Sequence, residues 1–272
     1  MNNKIQLENL MDFDSDAIIS IGTRISVDNV KVQNYINTMI KKNRCEFIYM
    51  HPIDDVLLQD KYTQYIKYEA GSEEGIFALL ASFLVTNTTK EYSKYLEDLD
   101  IGCLSGDSSV GEEEFELLVK KLANKKKIVL IVGADINGHQ KSENIHNLIA
   151  LIQKYTKINI ILLDPSNSID VTSEIILDEI SDMNAYNGTV IYTVDAKDDI
   201  VRGSSSFAMA AKIKDKDIVN ITYKDFTTQK EFHIDSSIRG TIALYPIHEE
   251  NKDEKITKGY RFKQVKIQRV EG

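Results

Sequence analysis

One pattern occurs twice in this 272-residue chain and limits what it can fold into. Residues 17–52 read AIISIG, a short polar loop, a helix-like stretch and then CEFIYMHP. Residues 128–165 read IVLIVG, a polar loop, a second helix-like stretch and INIILLDP. Each copy is an apolar run ending in Gly, an amphipathic stretch, and a second apolar run ending in an x-Pro step. That order is a βαβ unit, stated twice. The near-continuous apolar runs suit strands covered on both faces, as in a parallel sheet between helix layers. The expected fold is therefore α/β: two repeated Rossmann-like βαβ units forming parallel sheets. Such sheets bind ligands at the carboxyl ends of their strands, which is where function is to be sought.

The stretch after the first strand, about 28–42, carries Val32, Ile36, Met39 and Ile40 on one stripe, with Ser26 or Asp28 as candidate caps. The corresponding stripe in 142–155 is Ile145, Leu148, Ile149 and Ile152. Between the copies, IFALLASFL predicts a helix opened by Glu73 and Glu74, two carboxylates suited to the positive end of its dipole. Residues 86–110, rich in Thr, Asn, Asp, Ser and Gly, read as a seam, with DIGCLSGDSSVG as a loop. Ser109 and Glu112 have capping-box spacing ahead of a helix over 113–124. TVIYTV, after Gly188, reads as a last strand of the sheet. Beyond residue 203, DIVNITY, QKEFHID, GTIALYP and YRFKQVKIQRV alternate like antiparallel strands of a small β-rich, barrel-like domain. The expected division is 1–100, 101–200 and 201–272.

The formal net charge of −9 disfavours a nucleic-acid partner, because a phosphate backbone is repelled. No apolar run approaches a membrane span, so direct membrane insertion is not expected. The first residues lack a signal-peptide layout, and two cysteines, Cys45 and Cys103, suit a reducing compartment. The expected location is cytoplasmic.

Few residues point to chemistry. Gly22 and Gly133 end the two leading strands, and a Gly there lets backbone approach a phosphate at a helix start. Neither loop has G-x-G-x-x-G spacing or a Walker lysine, and each also reads as a plain tight turn. Arg24 fits either a phosphate contact or a surface arginine beside a carboxylate. His51 and Asp164 end the second strands, where an acidic residue can hold a ribose hydroxyl. His139 and His146 lack metal-site spacing, and nothing near Cys103 marks it as a nucleophile. No catalytic constellation and no metal site is expected.

These residues carry a family resemblance over about 14–247. The segment DSDAIISIGTRISVDNVKVQNYINTMIKKNRCEFIYMHP resembles a cofactor-domain segment of the molybdopterin oxidoreductases. IKYEAGSEEGIFALLASFL is similar to that family's Pro-Gly-Thr-Asp step before an Ala/Leu-rich helix. KKIVLIVGADINGHQKSENIHNLIALIQKY resembles its returning segment, and the tail from FAMAAKIK resembles the start of its C-terminal barrel. The resemblance places Gly22, Thr23, Arg24, Gly71, Ser72 and Glu73 at family cofactor-binding positions. Arg24 and Ile25 replace an Asn-Pro pair, His51 replaces the Asp of Asp-Pro, and Gly71-Ser72-Glu73 replaces Gly-Thr-Asp. Three departures together imply a vestigial site. The wording of EGIFALL and NIHNLI is most similar to the molybdopterin-like C-terminal region of the large iron–sulfur subunit of bacterial NADH-quinone oxidoreductase, respiratory complex I.

The resemblance implies a non-catalytic scaffold portion of an electron-transfer subunit. Its partners are other subunits of a respiratory complex, on the cytoplasmic face of the inner membrane. It implies no cofactor in this chain and iron–sulfur clusters in a parent chain. Two alternatives stand beside it. One is a cofactor-binding part of a true molybdopterin-dependent oxidoreductase, such as a formate or nitrate enzyme. The other is a small-molecule-binding α/β module. If Gly22 and Gly133 serve only turns, Ala at either costs about 1 kcal/mol where φ is positive and less otherwise.

Overall fold

In chain order, the first half runs β1 (Ala17–Ile21), α1 (Ile25–Asp28), α2 (Val30–Asn43), β2 (Glu46–Met50), β3 (Gln64–Ile66) and α3 (Glu73–Leu84). Then follow α4 (Lys90–Glu97), α5 (Ile101–Ser108), α6 (Glu112–Leu122), β4 (Ile128–Val132), α7 (Ser142–Tyr155) and β5 (Asn159–Leu162). These elements belong to a computed structural model that describes residues 7–164, 174–180, 183, 186 and 188–270. Pro165 lies outside the described residues. The chain divides into two compact units, 1–185 and 186–272.

Both βαβ units contribute to one parallel five-stranded sheet of order β3-β2-β1-β4-β5. Strands β1 and β4 are its central neighbours, paired from Ala17 with Ile128 to Ile21 with Val132. From that pair the chain winds outward in opposite directions, so the crossover helices fall on opposite faces. Strand alternation matches: Ile18, Val129 and Ile131 pack with Val32, Tyr35, Ile36 and Met39 of α2. Ile19, Ile21, Leu130 and Val132 pack with α3, α6 and α7 on the other side. All five residues of β1 and of β4 are buried, which explains their unbroken apolar sequence.

Local details differ from the sequence reading. The cap of α2 is Asn29, whose side chain accepts from the Val32 N–H (3.0 Å). The stretch DIGCLSGDSSVG is largely helix α5. Asp100 caps it by accepting from the Cys103 N–H, Leu104 is buried against the core, and Ser109 ends it in the left-handed region. Tertiary burial there overrides poor helix propensity. Ser109 is thus a helix end rather than a capping box, and Gly111 precedes α6.

The second unit contains β6 (Thr189–Asp195), β7 (Ile200–Gly203), α8 (Ser205–Ala211), β8 (Ile218–Tyr223), β9 (Phe226–Ile234), β10 (Ile242–Ile247) and β11 (Phe262–Arg269). They close into a barrel of order β10-β6-β11-β8-β9-β7. TVIYTV is therefore a barrel strand, not the last strand of the sheet. The barrel is mixed rather than antiparallel, since β10 runs parallel to β6 and β7 parallel to β9. Its core holds Ile191, Val201, Phe207, Val219, Ile221, Phe232 and Tyr245. Closure leaves no free strand edge. Among the described residues, no helix is long and apolar enough to cross a membrane.

Candidate functional site at the strand-order reversal

The crevice where strand order reverses lies beyond the carboxyl ends of β1 and β4, the position at which open α/β sheets take ligands. Gly22 sits there with φ +70°, in the left-handed region, which a residue with a Cβ adopts at a cost. Gly133 has φ −82°. Its requirement is proximity instead. Its N–H donates to Ile21 O (2.8 Å), the next N–H but one, of Asp135, donates to Gly22 O (3.1 Å), and the two loops run against each other.

A short 3₁₀ turn, Ala134–Gly138, follows β4 and folds back over β1. Its Ile136 is fully buried, and a Cβ added at Gly22 would stand 2.9 Å from that side chain. Asp135 is 1% exposed and lies 3.2 Å from His51 Nε2, while His51 is 0% exposed. The Ile53 N–H can only donate, and it points at His51 Nδ1 (3.0 Å). The Ile53 carbonyl oxygen lies 3.1 Å from the same nitrogen, so either tautomer has a backbone partner there, and Nε2 faces the Asp135 carboxyl group. Tyr49 stacks beside His51, with ring centroids 5.8 Å apart.

The same turn reaches the second cluster of candidate residues, Gly71, Ser72 and Glu73. His139 Nδ1 accepts from the Lys141 N–H (3.0 Å), so its Nε2–H donates to Gly71 O (3.1 Å), with Glu73 Oε2 at 3.6 Å. Ser72 spends its hydroxyl on Glu69 O (2.7 Å). Glu73 and Glu74 are buried in the first turn of α3, and Glu74 accepts from Asn144 Nδ2 (2.7 Å). The structure thus gathers Gly22, Thr23 and Arg24 on one side and Gly71, Ser72 and Glu73 on the other, joined by residues 135–139.

Thr23 and Arg24 are tied down by Asp28, which accepts from the Thr23 hydroxyl (3.1 Å) and the Arg24 N–H (2.8 Å). Ser26 is held by Asp55 through its N–H (2.9 Å) and hydroxyl (2.5 Å). Arg24 is 7% exposed, which corrects its reading as a surface arginine, and its Nε has no hydrogen-bond partner among the described residues. Asp164 accepts from Asn137 Nδ2 (2.6 Å). Cys103 is exposed and Cys45 buried. Among the described residues, no group of three or more His, Cys, Asp or Glu could hold a metal ion.

Sequence reasoning passed over Asp135 and Asp55. The signal for Asp135 was present: it stands two residues beyond Gly133, in the loop that leaves a central strand. Its partner is 84 positions away, and nothing local marks that pairing.

Burial pushes the His139 imidazole below its ordinary value of 6.5, against the raising effect of Gly71 O and Glu74. The folded chain therefore stays unprotonated where the unfolded chain takes up a proton. The associated stability is complete above pH 6.5 and is lost as pH falls from there through the lowered folded value. Urea midpoints measured from pH 7.5 to pH 5 should fall more steeply in the wild type than in His139→Gln. Equal slopes would remove His139 from the acid response.

No protein family matches the sequence, and no curated protein matches it. Among solved structures, the chain is similar to the computationally designed msDPBB_sym2 protein, at 18% identity and a TM-score of 0.25, over 30% of this chain and 98% of that one. It is also similar to acetylene hydratase from Pelobacter acetylenicus, at 10% identity and a TM-score of 0.38. That match covers 56% of this chain and 23% of the hydratase. Likenesses at these scores carry no functional argument.

Proposed function

We propose that this chain is a non-catalytic scaffold of the molybdopterin-oxidoreductase kind, a portion of an electron-transfer subunit that docks to other subunits of a respiratory complex. The resemblance to the large iron–sulfur subunit of NADH-quinone oxidoreductase supplies the subunit type, the cytoplasmic-face location and the iron–sulfur clusters of a parent chain. The observation that carries the reading is that the crevice at the strand-order reversal is filled by the chain itself. Ile136 lies on Gly22, and the buried Asp135–His51 pair, with Asp28, Asp55 and Glu73, sets carboxylates where a dinucleotide's phosphates would need donors. On this reading the carboxylates there oppose the phosphates of a pterin nucleotide.

One observation favours the second reading, a cofactor- or nucleotide-binding half. Arg24 is a buried cation at a strand end whose Nε has no hydrogen-bond partner among the described residues, and a phosphate would satisfy it. The experiment is direct. The full chain, purified from cells supplied with molybdate, is assayed for molybdenum by mass spectrometry and for pterin by oxidised-pterin fluorescence. It is then titrated with guanine nucleotides by calorimetry. The scaffold reading expects neither metal nor pterin, and no binding heat. Stoichiometric molybdenum or pterin overturns it. Nucleotide binding that Arg24→Ala abolishes transfers the case to the second reading.

A further inference from the structure

Away from the strand-order reversal, a half-open cavity of about 530 Å³ lies between the α4–α5 corner and residues 177–180. That volume is within the range of about 300–1,000 Å³ that holds specific ligands. Its inner wall is apolar, with Leu104 buried and Leu99, Leu177 and Ile180 half-buried. Its outer wall is acidic and exposed, with Asp98, Asp107 and Glu179. Asp100 is committed to capping α5, but these three carboxylates form no ion pair with any described residue. The charge continues past the cavity. From Glu91 to Glu116 the sequence carries nine carboxylates and a single lysine, Lys94, so this stretch holds most of the excess behind the net charge of −9.

An apolar recess beside carboxylates that form no ion pair with a described residue complements an apolar side chain flanked by cations. Because the acidic stretch also runs on in the sequence into α6, a ligand longer than a cavity-sized molecule suits it better. We propose that this cavity docks a basic segment of a partner protein, with one apolar anchor seated against Leu104, Leu177 and Ile180. Lysines or arginines of that segment then meet Asp98, Asp107 and Glu179. The proposal rests on the scaffold reading only in taking the occupant to be a protein.

The test uses the full chain and a short fluorescein-labelled Lys/Leu peptide, followed by anisotropy at physiological salt, where long-range attraction is screened. Asp98→Asn/Asp107→Asn/Glu179→Gln should weaken binding by about tenfold or more. A peptide with Gly in place of Leu should bind correspondingly less. Cys103 lines the cavity and is exposed while Cys45 is buried, so the peptide should slow maleimide labelling of Cys103 several-fold. All three substituted residues are exposed, and circular dichroism checks that the triple variant folds. Equal affinity for the triple variant, or unslowed labelling of Cys103, overturns the site. Spermine competing as tightly as the peptide overturns the protein occupant in favour of a small polyamine. Molybdenum in the purified chain would overturn the scaffold reading while leaving these outcomes intact, so the two failures are distinguishable.

Discussion

Gly133→Ala should destabilise the protein by roughly 3 kcal/mol, the upper end of what overpacking costs, and more if neither loop can shift. A methyl at Gly133 would run into the carbonyl carbon and oxygen of Gly22 and into Thr23 Cβ. Two of those three atoms are backbone, and the backbone there is pinned by bonds from Gly133 to Ile21 and from Asp135 to Gly22. No rotamer change relieves such a clash. The effect owes nothing to φ, which is an ordinary −82°, so the expectation of a small loss at a negative φ is corrected by proximity.

Gly22→Ala has a different origin. It meets a strained φ of +70° and the tip of Ile136, a flexible side chain that can yield. Its loss should be smaller, about 1–2 kcal/mol. Chemical denaturation of both variants checks the order. Gly22→Ala proving the costlier would show that φ, not loop contact, governs this crevice. A Gly133→Ala protein with an unchanged midpoint would mean that the loops separate freely, as a ligand-binding crevice requires.

The sequence disclosed most where burial was complete and local. AIISI and IVLIV are buried on both faces, so their apolar runs could be read directly as sheet strands. The bounds of α7 matched the helix expected over 142–155, whose stripe Ile145, Leu148, Ile149 and Ile152 is buried, although burial in its second half extends all round, from Leu148 to Gln153. Strand partnership was less legible. TVIYTV has strand character in either unit, and its alternation says nothing about whether a sheet or a barrel supplies its neighbours. Helix α5 was hidden because Gly, Ser and Asp dominate its sequence, while the stabilising contacts of Leu104 come from residues distant in the chain. At the site, the strand-end glycines were visible. What fills the crevice was not, since Arg24 burial and the His51–Asp135 pair arise only when strands 29 and 111 positions apart are laid side by side.

That pair is the centre of the second large effect. His51→Ala should cost about 3–5 kcal/mol, because it removes a fully buried ring and takes a hydrogen-bond partner from the buried Asp135 side chain. Asp135→Ala should cost less, about 1–3 kcal/mol, since it removes the smaller side chain and leaves one buried imidazole nitrogen without this partner. Asp135→Asn retains an acceptor and should fall below both. Each residue has further interactions, so the pair's own share has to be isolated. The double variant His51→Phe/Asp135→Leu, compared with its two single variants, does so. Removing both polar partners while keeping a ring beside Tyr49 and apolar volume over Gly22 should lose well under the sum of the single losses, by at least about 1 kcal/mol. Additive losses in urea denaturation would mean that the two side chains are stabilised independently of each other. The cycle also bears on function. In a structural plug, coupling appears in stability, and no ligand affinity changes. In a cofactor site, the same substitutions would leave the midpoint nearly fixed and change nucleotide binding instead, because a group reserved for ligand contributes little to the empty fold. Coupling of at least about 1 kcal/mol in this fully buried pair is therefore the result that the scaffold proposal expects.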